Sequence, residues 1–449
     1  MRKRLLALLC TAVTALTMFC MPLTASAAYT LPDDVDPLAI SSMVVYLGTD
    51  PSDDMLLYEE NADKRLPPSG MVRVMVGLYA LKLIDEKNID PAAATGTFTE
   101  SIFNTFAGTG LYTVGMEFGE SWKMDDLLSV AMIQTAADAV GTLATALAGT
   151  LTSFVDGMNA LAAEIGCTNT HFTNVFGLDH ADHYTSARDM YTMLRYATYT
   201  YPAMITMLSR DEYGVMINGE PDFWPNTNDM LRPASEFYYA PLVLGRSGFT
   251  ESIGQSCASI ARDEGIEFLT VVMGCKDAEG TDGLAFTDTM MLYRWAYNAF
   301  TYKTVVSKGQ PLSRIPVDLA WRTDSVALVA GDSLEGMLRN DLDINTLRYE
   351  ITFDKESLTA PVEKGQVCGT AAIYDGNEIV GTVELCAADA VAKSQLLALI
   401  HGIRTVLLSP AMLIVYALLA ILLVSYIVMS VVHNQSRRKH KRKRVKQYK

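Results

Sequence analysis

Few stretches of this 449-residue chain place reactive side chains at a useful spacing. The first is Leu66-Pro67-Pro68-Ser69-Gly70-Met71-Val72-Arg73, which runs into an apolar segment ending at Ile84. A serine hydroxyl at a helix start can cap the helix or, with a neighbouring base, attack a carbonyl. Three residues after Ser69 stands Val72, which is no base. Arg73 keeps its proton at physiological pH and cannot act as one. The second stretch is Asp179-His180-Ala181-Asp182-His183. Two histidines and two aspartates are metal-ligand types, but without a third defined ligand the spacing reads as a structural loop, and no metal is expected. The seven cysteines contain no Cys-x-x-Cys pair. Five of them, Cys167, Cys257, Cys275, Cys368 and Cys386, follow the leader and read as mostly buried thiols with room for one disulfide.

The elements that must hold these groups follow from patterning. From Met71 to Ile84 apolar residues occur on every helical face, the mark of a buried helix. Two prolines fix the backbone before it, and Arg73 and Lys82 argue against a bilayer, so it reads as a central buried helix whose first turn opens into a cleft. Strands are predicted at Ser42–Leu47 and around Met55–Tyr58. Met124–Gly149 reads as one long apolar core helix, interrupted by Asp125, Asp126, Gln134 and Asp138. Leu151–Ile165 is amphipathic, with Phe154, Met158, Leu161 and Ile165 on one stripe. A hairpin is expected from Ser256–Arg262 and Glu267–Met273, and a helix from Thr287 to Phe300. From Lys303 to Val391 short strands and turns predict a small all-β domain, with a hairpin turn at Asp375-Gly376-Asn377.

The ends are distinctive. Arg2, Lys3 and Arg4 precede an apolar run and Ala25-Ser26-Ala27, so residues 1–27 read as a signal peptide. Residues 406–432 carry no charge, which exceeds the roughly 20 residues needed to cross a bilayer. The tail at 433–449 is basic, so it is expected on the cytoplasmic side of a single-pass membrane protein whose bulk lies outside the cytoplasm. Of 36 Lys and Arg residues, 3 fall in the first 27 positions and 9 in the last 13, leaving 24 against 51 Asp and Glu, a formal charge of −27 for the body. A body this acidic excludes nucleic acid as a partner.

The Pro-Pro-Ser-Gly helix start resembles the nucleophile helix of serine D-alanyl-D-alanine carboxypeptidases, the low-molecular-mass penicillin-binding proteins of peptidase family S11. So do the Gly177-Leu178-Asp179 loop, the Ser186-Ala187-Arg188-Asp189 helix start and the Thr359-Ala360-Pro361-Val362-Glu363-Lys364-Gly365 phrase. The resemblance spans about residues 29–391. It implies an α/β (α+β) transpeptidase-like domain at 28–302 with an antiparallel sheet and helices. An accessory β-domain at 303–391, a linker at 392–405 and the transmembrane helix would follow.

In that family a Ser-x-x-Lys motif supplies nucleophile and base. The matching positions here are Gly70 and Arg73, so neither group is present. Ser69 is the alternative nucleophile, but one step around a helix start swings a side chain by about 100°. The second motif, Ser-x-Asn, corresponds to Thr135-Ala136-Ala137, which keeps a hydroxyl and loses the amide. The third, Lys-Thr-Gly, corresponds to Arg246-Ser247-Gly248. There the resemblance implies binding of a terminal carboxylate by Arg246, Ser247, Gly248 and Thr135, which an arginine does bidentately. Three functions stay open at this stage. One is a pseudoenzyme that binds peptidoglycan stem peptides or an envelope protein. Another is an active carboxypeptidase with rearranged groups. The third is a scaffold that uses the β-domain and anchor. None calls for a cofactor.

Overall fold

The computed structural model describes residues 29–217, 220–276, 282–376 and 378–446. The signal peptide expected at 1–27 and Asn377 of the expected hairpin turn lie outside these residues. β-Branched and aromatic side chains favour extended backbone, and Ser41–Tyr46 forms β1. A polar turn leads back along it as β2, Met55–Glu60, in antiparallel register with Val44 facing Tyr58. Ser69–Met71 is a 3-10 turn that leads into α1, Val72–Glu86. As its all-round apolar pattern requires, α1 is buried on nearly every face. It packs against α2 (Met124–Ile133), α3 (Ala137–Ala148), α4 (Leu151–Glu164) and α5 (Ala187–Thr200).

Strands β3 (Leu242–Thr250), β4 (Gly254–Asp263) and β5 (Ile266–Cys275) complete a five-stranded antiparallel sheet in the order β2-β1-β5-β4-β3. Side chains alternate across it. Met43 and Val45 join the core on the α1 side, and Val44 joins the core under α6, Leu284–Ala299. Strand β3 therefore stands at the sheet edge, against the 3-10 turn.

The single helix expected over 124–149 is two. Gln134 and Ala136 are extended, and α3 restarts at Ala137. The carbonyls that end α2 have other partners: Ile133 O accepts from the Thr227 N–H at 3.2 Å and from Arg246 Nη1 at 2.8 Å. Asp138 sits in the first turn of α3, where a carboxylate favours the exposed N–H groups. It accepts from the main chain of Val114, Gly115, Met116 and Ala139 at 2.9–3.1 Å.

The chain divides into two compact units, one reaching Tyr302 and including Met337–Leu342, the other holding Lys303–Gly336 and everything from Asp343 on. In the second unit, β6 (Pro311–Asp318), β7 (Ser325–Ala330), β8 (Arg348–Phe353), β9 (Leu358–Thr359), β10 (Val367–Asp375) and β11 (Glu378–Ala387) form one sheet in the order β8-β10-β11-β7-β6-β9. Asp375 and Glu378 close the β10–β11 hairpin, with Gly376 at φ +57°. Cys368 is buried and Cys386 half-buried, and both are free thiols.

The stretch read as a linker, 392–405, is largely helical. Gln395–Leu407 forms α7, with Ser394 Oγ accepting from the Leu397 N–H at 3.3 Å. A new helix, α8, begins at Pro410 and runs to Lys446. Proline has no N–H to continue α7 and its ring disfavours helical backbone before it. Ser409 Oγ then caps α8 by accepting from the Met412 N–H at 3.3 Å. The segment Pro410–His433, 24 residues long, is apolar and unburied along its length, long enough to cross a membrane.

Candidate active site

The three motif positions do come together, at the start of α1, the α2–α3 break and edge strand β3. They meet without a gap between them. A Cβ built on Gly70 would lie 2.9 Å from Ser247 O, 3.1 Å from the Gly248 Cα and 3.4 Å from Thr135 Cγ2. A Cβ on Gly248 would fall 2.2 Å from Ser69 Oγ and 2.5 Å from the Gly70 nitrogen. Gly177, at φ +79°, presses from a third side, where a Cβ would stand 2.3 Å from Ser69 O. Cβ atoms essentially never come within 3.0 Å of a neighbouring heavy atom, and each of these three positions has main chain closer than that, so a side chain at Gly70, Gly177 or Gly248 would force the neighbouring backbone to shift.

Ser69 is fully buried and adopts φ +51°, the left-handed region that a serine seldom occupies. Its Oγ has no hydrogen-bond partner. A serine nucleophile needs a base within hydrogen-bond reach, and none is bonded to it.

Arg73 and Arg246 are the two largest fully buried side chains among the described residues. Arg73 donates through Nη1 to Val175 O, and through Nη2 to Thr135 O at 3.4 Å and Phe176 O at 3.5 Å. Burial, with the charge of Arg246 in addition, lowers its pKa to about 9, which leaves it protonated at neutral pH. Arg246 donates Nη1 to Met132 O and Ile133 O, both at 2.8 Å, and Nε to Gly70 O at 3.3 Å. Burial lowers its pKa to about 10. Ser247 donates its hydroxyl to Thr227 O at 2.9 Å. The carboxylate-binding expectation for Arg246, Ser247, Gly248 and Thr135 needs an open guanidinium edge. Instead, the guanidinium is turned inward and clamps the end of α2 to the 3-10 turn. Ala137 is buried, and its side chain contributes no polar atom.

His180 and His183 separate. His183 is buried, its Nδ1 accepts from the Thr173 N–H at 3.0 Å, and burial, with the nearby charges of His171, His180 and Arg73, lowers its pKa to about 4. His180 stays at the surface, 3.9 Å from Asp182. No group of three His, Cys, Asp or Glu side chains suited to a metal occurs among the described residues. Arg188 pairs with Asp63 at 2.9 Å and with Glu59, and Asp189 accepts from Thr170 at 2.6 Å.

The profile of the family described as D-alanyl-D-alanine carboxypeptidase, peptidase S11, matches residues 35–277. This chain belongs to that family. The C-terminal domain of penicillin-binding protein 5 matches residues 300–393. Among characterised relatives, D-alanyl-D-alanine carboxypeptidase DacF of Bacillus subtilis is 25% identical over 341 residues, 76% of this chain and 83% of that protein. DacC of Escherichia coli is 28% identical over 329 residues, 70% and 76% of the two chains. Among solved structures, the carboxypeptidase DacD from Francisella tularensis aligns with a TM-score of 0.62 at 19% identity, covering 83% of this chain and 98% of that one. Penicillin-binding protein 5 from Haemophilus influenzae aligns with a TM-score of 0.59 at 20% identity, covering 82% and 100%.

These matches make the chain a two-domain member of a family of cell-wall enzymes, with the expected carboxypeptidase-like domain followed by the β-rich domain. Sequence reasoning missed the residues that close the site. The resemblance picks out Gly177 only as part of a loop and Gly248 only as part of a carboxylate-binding set, and nothing in the local sequence marks Val175 or Thr227 as their neighbours. The signal available was the glycine in each of two motifs that face each other across the family's cleft.

Proposed function

We propose that this chain is a catalytically silent member of the carboxypeptidase family, held in the bacterial cell membrane by Pro410–His433 and acting in the envelope through contacts other than acyl transfer. Residues 1–27 are removed on export, the two folded domains lie outside the cytoplasm, and the basic tail from 433 onward lies inside, as positive residues flanking a span do. The observation that carries the reading is at Gly70. The position where the family's serine belongs has no hydroxyl, and the space for its Cβ is taken by the main chain of Ser247 and Gly248. Arg73, where the family has lysine, has its guanidinium bonded to three main-chain carbonyls. Acyl transfer requires an activated nucleophile, and nothing here supplies one. The closed joint also favours a scaffold or envelope-protein partner over capture of a stem peptide at the old cleft.

Incubation of the purified full-length protein with a fluorescent penicillin tests this. No covalent label is expected, while a working carboxypeptidase run alongside labels strongly. A serine adduct located by mass spectrometry, or loss of D-alanine from a model pentapeptide, would overturn the proposal.

A further inference from the structure

The sheet of the second unit runs β8-β10-β11-β7-β6-β9, so β8 and β9 are its edges. Strand β9 is two residues long, but β8, Arg348–Phe353, is six. Natural sheets blunt a long edge with a proline, a bulge or an inward-pointing charge. Strand β8 has no proline, pairs with β10 without a shift of register, and turns Arg348 and Glu350 to its exposed face. No strand pairs with its outer side among the described residues.

The direction of its main-chain groups follows from the ladder. Just past the strand, the Asp354 N–H donates to Cys368 O at 3.1 Å, in the same register that sets Phe353 opposite Gly369. Hydrogen-bonded positions alternate in an antiparallel pair. Thr352, Glu350 and Arg348 therefore bond to β10, while Tyr349, Ile351 and Phe353 direct their N–H and C=O groups outward. The side chains of Tyr349 and Ile351 share a face with their opposite numbers Ile373 and Ala371, which are fully buried. Yet Tyr349 and Ile351 are only half-buried and Phe353 is 37% exposed. Free backbone and an uncovered apolar row thus end at the same edge.

We propose that β8 pairs antiparallel with β8 of a second copy of this chain, joining the two sheets about a twofold axis through Ile351. Such an axis sets one surface against itself, so the strand must complement itself, and its charges choose the register. With Ile351 facing Ile351, Tyr349 meets Phe353, Glu350 meets Thr352 and Arg348 meets Asp354. The outward groups of Tyr349, Ile351 and Phe353 then bond one another. Sliding the partner by one side-chain repeat sets Glu350 against Glu350 in one direction and against Asp354 in the other, and like charges directly opposite are destabilising. Asp354 joins no ion pair among the described residues. Arg348 bonds Glu350 through Nη1 at 3.4 Å, which leaves its other nitrogens for the partner. One strand pair is a small interface, but chains held in one membrane, as proposed above, meet at a high effective concentration. The strength of pairing rests on that anchor; the register does not.

The test uses the full-length protein in liposomes, where flotation with the vesicles reports the anchor separately from the pairing. Residue-resolved hydrogen exchange needs no variant. As the density of protein in the membrane is raised, the amides of Tyr349, Ile351 and Phe353 are expected to change from fast to slow exchange, while those of Glu350 and Thr352 are slow throughout. Ile351→Cys should give a disulfide-linked dimer on mild oxidation. In that background Arg348→Asp and Asp354→Arg should each lose the link, and the two together should restore it. Amides of Tyr349, Ile351 and Phe353 that exchange at one rate at every density overturn the proposal. So does absence of the link at position 351, a link that survives Arg348→Asp alone, or failure of the combined changes to restore it.

Discussion

Restoring the family's nucleophile and base by Gly70→Ser with Arg73→Lys is expected to destabilise the protein without awakening it. The new Cβ enters at 2.9 Å from Ser247 O and 3.1 Å from the Gly248 Cα. Both obstacles are main chain on a strand paired to β4 along its length, so they cannot swing aside as a side-chain tip would. Overpacking of this kind costs about 1–3 kcal/mol. Replacing the guanidinium leaves some of the carbonyls of Thr135, Val175 and Phe176 without a donor, at about 1–3 kcal/mol for each buried group left unpaired. Lysine has three protons and reaches one or two of these, leaving one or two unpaired, so about 2–9 kcal/mol is the expected loss for the pair of changes. Urea unfolding by circular dichroism measures it, and fluorescent penicillin reports reactivity on the same sample. A double variant as stable as the parent, or one that takes the label, would show that the joint opens readily, and the reasoning from Gly70 would be wrong.

Further outcomes can be measured alongside. Asp138→Ala deprives four main-chain N–H groups of their acceptor and should cost about 2–4 kcal/mol in urea unfolding, an unchanged midpoint counting against the role given to it. His183 has a folded pKa of about 4 against 6.5 for the free side chain, so its contribution is full above pH 6.5 and is lost as pH falls toward 4 because only the unfolded chain takes up the proton; the loss is about 3 kcal/mol. His183→Gln should therefore flatten the decline in stability between pH 6.5 and 4, and parallel pH profiles for variant and parent would refute this. Deleting everything from Pro410 onward should move the protein from the membrane pellet to the soluble fraction; continued sedimentation with membranes would place the anchor elsewhere.

Much of the scaffold could be read from residue patterns because it follows short-range rules. The stripe Phe154, Met158, Leu161, Ile165 is buried as its spacing requires, and the hairpin expected from Ser256–Arg262 and Glu267–Met273 forms as β4 and β5. The α2–α3 break was not legible from local pattern, since it depends on Arg246 reaching carbonyls over a hundred residues away. The helix at 395–407 was legible and overlooked: Leu396, Leu399, Ile400, Ile403 and Leu407 recur at helical spacing. At the candidate site, Gly70, Arg73, Thr135 and Arg246–Gly248, singled out through the family resemblance, lie beside one another. The sequence could not tell whether Arg246 faces out or in, because a charged residue is exposed by default. Only the tertiary approach of β3 to the 3-10 turn decides that.

The meeting of Gly70 with Gly248 works as a ratchet. A single substitution that returned a hydroxyl to the helix start would strike the opposing strand, and moving that strand would unseat Arg246 from the two carbonyls that end α2. A side chain at position 70 and the seating of Arg246 are therefore coupled: the two facing backbones would have to part before either could change, so no one-residue exchange there is independent of the strand opposite.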